Sequence, residues 1–146
     1  MRSASRLLGS ALVVAACTTG AEPNEGLHAT VSLDRTRLVR GEVVQITVAV
    51  TSGTLQGSST CLTGFSVLDA SGTVVAPGNV FCTADVVTRS AAHAPYIRQF
   101  SWAGYTGSGT TGTPLPAGTY RIIGGTGASG QTHASVSEPV ALELAD

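Results

Sequence analysis

Hydrophobic and polar positions alternate with period two along most of this chain, which predicts β-strands. Leu27, Ala29, Val31 and Leu33 alternate with His28, Thr30, Ser32 and Asp34, so the first strand is half-buried. In Glu42–Thr51, Val44, Ile46, Val48 and Val50 share one face while Gln45, Thr47 and Thr51 share the other. Seven of those ten residues are β-branched, which disfavours a helix. Phe65 and Val67 lead to a turn at Asp69-Ala70-Ser71-Gly72, and Thr73-Val74-Val75 returns from it, a hairpin pattern. Val80–Arg89 reads as a further strand carrying Cys82. Tyr96, Phe100 and Trp102 lie on one side of the next strand, which stops at Gly104. Thr119–Gly124 is reached through the corner Leu115-Pro116-Ala117-Gly118. The last strand combines Thr132–Val136 with Val140–Leu144, and Pro139 predicts a bulge or an edge position there. Between these runs, Asp34–Gly41 reads as a polar connection and Ser52–Gly64 as a loop. Glycine-rich tips occupy Gly53–Gly64, Gly104–Thr113 and Gly124–Gly130.

Seven or eight short strands at near-regular spacing predict an all-β, antiparallel β-sandwich, with one domain for 146 residues. Aromatics are only 5% of the chain, so Val, Ile and Leu must fill the core. All eight basic residues are Arg and the net charge is −1. No basic run exists, and a nucleic-acid partner is therefore disfavoured.

The N-terminus carries a different pattern. Arg2 and Arg6 precede an apolar stretch, Leu7–Ala16, too short to span a bilayer. It ends Val14-Ala15-Ala16-Cys17, which resembles the bacterial lipobox. The resemblance implies cleavage before Cys17, lipid on Cys17, and stable attachment to a membrane by two or three acyl chains. The expected organisation is a lipoprotein signal peptide at 1–16, a lipidated tether at 17–26 and a sandwich domain at 27–146. The mature chain has six Arg against nine acidic residues, hence −3. Thr18 follows Cys17 where Asp would argue for inner-membrane retention. This suggests the outer membrane if the cell has two. Export leaves Cys61 and Cys82 as an even pair in an oxidising compartment, and a disulfide between them is expected. Such a bridge stabilises by roughly 3–4 kcal/mol in the chain-entropy model.

Gly41-Glu42-Val43-Val44 leading into an alternating strand resembles the second strand of bacterial Ig-like domains. Phe100-Ser101-Trp102, a glycine-rich tip and Leu115-Pro116-Ala117-Gly118-Thr119-Tyr120 are similar to a motif of two groups: the intracellular proteinase inhibitor domain and the Ig-like domain of flagellar hook-capping proteins. The resemblance implies an Ig-like sandwich. The inhibitor group is intracellular, whereas this chain has an export signal, and neither motif includes the Cys61/Cys82 pair.

The remaining motifs carry little chemistry. Gly107–Gly112 and Gly125–Gly130 match G-x-G-x-x-G, but no helix pattern follows either, as dinucleotide binding requires. His28, His93 and His133 have no metal-ligand spacing, and no GxSxG elbow or close carboxylate pair occurs. Neither cofactor nor metal is expected. The expected function is a non-catalytic binding or structural module of the cell envelope with an envelope protein as partner, its binding surface on the tips or on nearby Arg98 and Arg121. The alternatives are a proteinase inhibitor acting through Ser52–Cys61, and an enzyme or metal carrier built on dispersed residues. Trp102 and Tyr120 are expected in the core, the tyrosine bonding back across its Pro-Ala-Gly corner.

Overall fold

The computed structural model describes residues 26–78, 81–107, 112–126 and 136–146. Cys17, with the leader and nearly all of the tether, lies outside them. So do His133 and most of Thr132–Val136.

Ten strands follow one another: β1 (Ala29–Leu33), β2 (Arg37–Val39), β3 (Val44–Val50), β4 (Thr54–Gly57), β5 (Thr63–Leu68), β6 (Val74–Pro77), β7 (Val87–Ser90), β8 (Tyr96–Trp102), β9 (Gly118–Thr126) and β10 (Val140–Ala145). They form a three-stranded sheet in the order β1-β3-β8, a five-stranded sheet in the order β2-β10-β9-β5-β6, and a separate ribbon, β4-β7. The fold is an all-β, Ig-like sandwich. All strand pairs are antiparallel except β2 with β10.

The best alternating run became the central strand of its sheet. Val44, Ile46, Val48 and Val50 are fully buried. They stand opposite Trp102, Phe100, Arg98 and Tyr96 of β8, so those side chains share the inward face. Facing them across the sandwich are Phe65, Val67, Ile122 and Leu142. The Phe65 and Phe100 rings meet with centroids 5.4 Å apart. The sheets approach closely at Gly124, where a Cβ would come within 2.9 Å of a Val48 methyl and 3.2 Å of Val31, so a larger residue there must displace these valines.

Four parts of the sequence reading change. Asp34–Gly41 is not only a connection: Leu38 is fully buried and pulls Arg37–Val39 into a short strand beside β10. The exposed arginines on either side of Leu38 hid it. Ser52–Gly64 contains β4, and Leu55, Cys61, Leu62 and Thr63 are buried. Leu55 and Leu62 join Ala29, Val50 and Ala91 in a second, smaller core under the β4-β7 ribbon. The strand expected over Val80–Arg89 shrinks to Val87–Ser90, and Cys82 lies outside it in an irregular segment. The last strand begins at Val140, just after Pro139, and Val136 keeps only an isolated bridge to Gly125. The register irregularity falls instead at Val67/Leu68, opposite β6.

Strand register defines two ends of the sandwich. At one, Ala29 pairs with Val50 and Thr63 with Thr126. The chain enters the fold here, so this is the entry end. At the other, the far end, Val44 pairs with Trp102 and Leu144 with Gly118.

Candidate functional site

The three glycine-rich tips do not converge. Gly53–Gly64 and Gly124–Thr126 belong to the entry end, while Gly104 and Thr113, at the base of the remaining tip, belong to the far end. The end of β9 also runs through Gly124, Gly125 and Thr126, so the third tip is partly strand.

The far-end tip is better organised than its composition suggests. Tyr105 and Pro114 form an isolated bridge. The Thr106 N–H donates to the Thr113 carbonyl at 2.9 Å, and the Leu115 N–H donates to Gly104 at 2.8 Å. Trp102 is fully buried, and its Nε1–H donates to the Tyr105 carbonyl at 2.8 Å, which ties the tip base to the core. Gly104 holds a positive φ of 83°, and a Cβ there would lie 3.0 Å from a Leu144 methyl. Residues 108–111 lie outside the described part. Beside the tip, the Tyr120 hydroxyl donates to the Pro116 carbonyl at 2.8 Å, closing the corner. Burial raises the Tyr120 pKa, with the charge of Asp69 adding to the shift.

Charge gathers at the far end. Arg40 pairs with Asp146 at 2.6 Å, and Arg37 with Glu143 at 3.8 Å. Arg35 lies 3.3 Å from Asp34 and 3.7 Å from Glu42. The Asp34 carboxylate accepts the Gln45 N–H, which with Arg35 holds its pKa below the usual value. Asp69 is also lowered, because its carboxylate accepts from the Ser71 hydroxyl and from the backbone N–H groups of Thr73 and Ser71.

The entry end is built from hydroxyls and one bridge. Cys61 and Cys82 are disulfide-bonded, with Cα atoms 5.5 Å apart. The hydroxyls of Ser58 and Thr83 lie 2.8 Å apart, and those of Thr60 and Thr83 3.2 Å apart. Asp85 accepts from Ser59 and Thr83, and these bonds lower its pKa. Phe81 and Val86 point into solvent at 89% and 72% exposure. An open groove of about 410 Å³ runs between β1 and residues 136–140, with His28 and Glu138 on its wall.

The dispersed candidates part company. His28 Nδ1 lies 3.4 Å from the Thr51 hydroxyl at the entry end, and His93 is exposed in the connection before β8. Among the described residues no group of three or more His, Cys, Asp or Glu stands together. Arg98 and Arg121 lie on different sheets. Arg98 belongs to the inward side of edge strand β8, with its guanidinium 5.9 Å from the Phe100 ring centroid. Alternation along β8 with Tyr96 and Phe100 is the sequence signal for that placement. Ser52–Cys61, the expected inhibitory loop, is strand-paired through Thr54–Gly57 to β7.

No protein-family model matches this chain, and no curated protein sequence matches it. Solved structures similar to it include a CARDB domain from Pyrococcus furiosus, crystallised in complex with di-metal ions. That likeness has 12% identity and a TM-score of 0.44, over 81% of this chain and 86% of that one. The solution structure of a CARDB domain from the same organism gives 15% identity and a TM-score of 0.42, over 82% and 94%. A Listeria innocua β-glucosidase in complex with glucose gives 12% identity and a TM-score of 0.43 over 83% of this chain, which spans only 16% of the glucosidase.

Proposed function

We propose that the chain is an exported, lipid-anchored Ig-like module of the bacterial cell envelope that works by binding an envelope protein and not by catalysis. Cys17 carries the lipid, and the partner is met at the far end, on the Gly104–Thr113 tip and the ion-paired surface beside it. The observation that carries this reading is the polarity of the sandwich. The chain joins the fold beside the Ala29–Val50 pair, whereas the tip leaves it beside the Val44–Trp102 pair at the opposite end. A membrane anchor attached through the tether therefore leaves the tip directed away from the bilayer. Loops on a rigid framework are also where binding usually resides.

The test has two arms. Labelled palmitate should be incorporated, and Cys17→Ser should abolish the labelling; an unmodified mature N-terminus would exclude the anchor. Shortening the tip to a minimal turn between Tyr105 and Pro114 should leave the fold intact, because loop length costs little stability. It should also reduce partner capture from envelope extract. Capture unchanged by this trim removes the far end as the binding surface.

One observation favours a second reading. The tip base is fixed by the Trp102–Tyr105 bond and the Tyr105–Pro114 bridge, and a fixed loop binds a cleft at lower entropic cost. Inhibition of an envelope protease through this tip predicts stoichiometric loss of protease activity with the purified domain.

A further inference from the structure

Residues 81–86 bridge from β6 toward β7 at the entry end, clamped by Cys82 to Cys61. Trp102 and Phe65 are only 0% and 2% exposed, yet Phe81 in this clamped segment is 89% exposed and Val86 72%. Cys61 is followed at once by buried Leu62, and Leu62 shares the small core with Leu27, the first apolar residue of the fold. The exposed pair and the start of the domain therefore occupy one end. The surroundings are hydroxyls: Ser58, Ser59, Thr60 and Thr83. Among the described residues, this end carries the charges of Asp85, Arg89 and Glu138, and the Asp85 carboxylate is turned onto Ser59 and Thr83. The far end holds the ion pairs.

We propose that Phe81 and Val86 dip into the headgroup–acyl boundary of the membrane that holds the Cys17 lipid, docking the domain with its entry end on the bilayer. This rests on the anchoring reading above. The occupant follows from chain length. Thr18–Gly26 is nine residues, a reach of at most about 30 Å fully extended, so a bilayer holding Cys17 is always within range of this end. Tethering makes the second contact intramolecular, so even a weak apolar contact becomes populated. Aromatic rings and hydroxyls suit the interface, and a sparse set of charges leaves little to desolvate.

The experiment places a reporter at the contact. Phe81→Trp adds an exposed indole to a chain whose single Trp is buried, so the difference spectrum isolates position 81. The full lipidated chain is reconstituted in phosphatidylethanolamine/phosphatidylglycerol vesicles, with and without bromine on the acyl chains. The expected result is a blue-shifted emission at position 81, quenched by the brominated lipid. Water-like emission while the protein remains on the vesicles overturns the proposal. A blue shift that grows with protein concentration without lipid also overturns it, and assigns Phe81 to a contact between two copies. Failure of the anchor is seen separately as missing palmitate. In that case a lipid titration of Cys17→Ser protein decides: a partition coefficient that falls roughly tenfold in the Phe81→Ser double variant supports the contact, and equal coefficients reject it.

Discussion

The two ends of this sandwich are built from different materials. The far end has a core roof of Trp102, Leu144, Leu115 and Tyr120, and its rim is ion-paired. The entry end has a small satellite core of Ala29, Val50, Leu55, Leu62 and Ala91, with a covalent bridge beside it and a rim of hydroxyls. A large aromatic side chain buries enough area to secure one end by packing alone. Five small or aliphatic residues do not, and there a disulfide, which restricts the unfolded chain, supplies what packing lacks. The comparison also separates two kinds of loop: the far-end tip hangs from a buried indole, while the 81–86 segment hangs from a sulfur bridge.

The largest expected effect attacks the far end. Trp102→Ala removes the biggest buried side chain and the donor to Tyr105, and should destabilise the domain by about 3–5 kcal/mol. Denaturant midpoints measure it, and a loss under about 1 kcal/mol would mean that the roof is not the main support. Next comes reduction of Cys61–Cys82, with an expected cost of roughly 3 kcal/mol. Its effect should be local before it is global: protease should cut near Phe81 while Trp102 fluorescence stays native. Simultaneous loss of both signals would join the two ends into one cooperative unit. The smallest effect is that of acid. Asp34, Asp69 and Asp85 all have pKa values lowered by the hydrogen bonds they accept. Their contributions are thus fully present above the unfolded carboxylate range, near pH 4, and are lost as pH falls through the lower folded values. Hydrogen exchange in acid should therefore rise at Gln45 and Thr73, whose N–H groups donate to the Asp34 and Asp69 carboxylates.

Much of the fold was legible because alternation reports burial directly. Val44–Val50 buries the face that period two assigned, Tyr96–Trp102 turns its assigned face inward with Trp102 fully buried, and Phe65 and Val67 are buried although Ser66 between them is buried too. The Tyr120 corner was legible from Pro116-Ala117-Gly118, which fixes where the hydroxyl reaches. What escaped were elements too short to show a period. Arg37–Val39 contributes a single buried side chain, Leu38, in a run that Arg35, Arg37 and Arg40 make polar, and Thr54–Gly57 contributes only Leu55. Neither pattern differs from a polar loop with one stray apolar residue. Arg98 stands at an inward position of an edge strand, which retains solvent access, so a charge there breaks no rule of alternation. The separation of the tips onto opposite ends depends on strand pairing, and no single tip carries information about its partners.

One feature of the topology bears on load. The chain's first extended segment is shared between the sheets: β1 joins β3, and three residues later β2 runs parallel to β10. Gly26 sits at one end of the sandwich and Asp146 at the other, so a pull between them draws β2 and β10 along each other in opposite directions. The bonds between these strands, among them Glu143 N–H to Thr36 and Arg40 N–H to Ala145, then lie across the line of force. They bear tension together, as a lap joint does, instead of opening one by one like a zip. A domain pulled by its two chain ends would meet that tension along these strands and not across them.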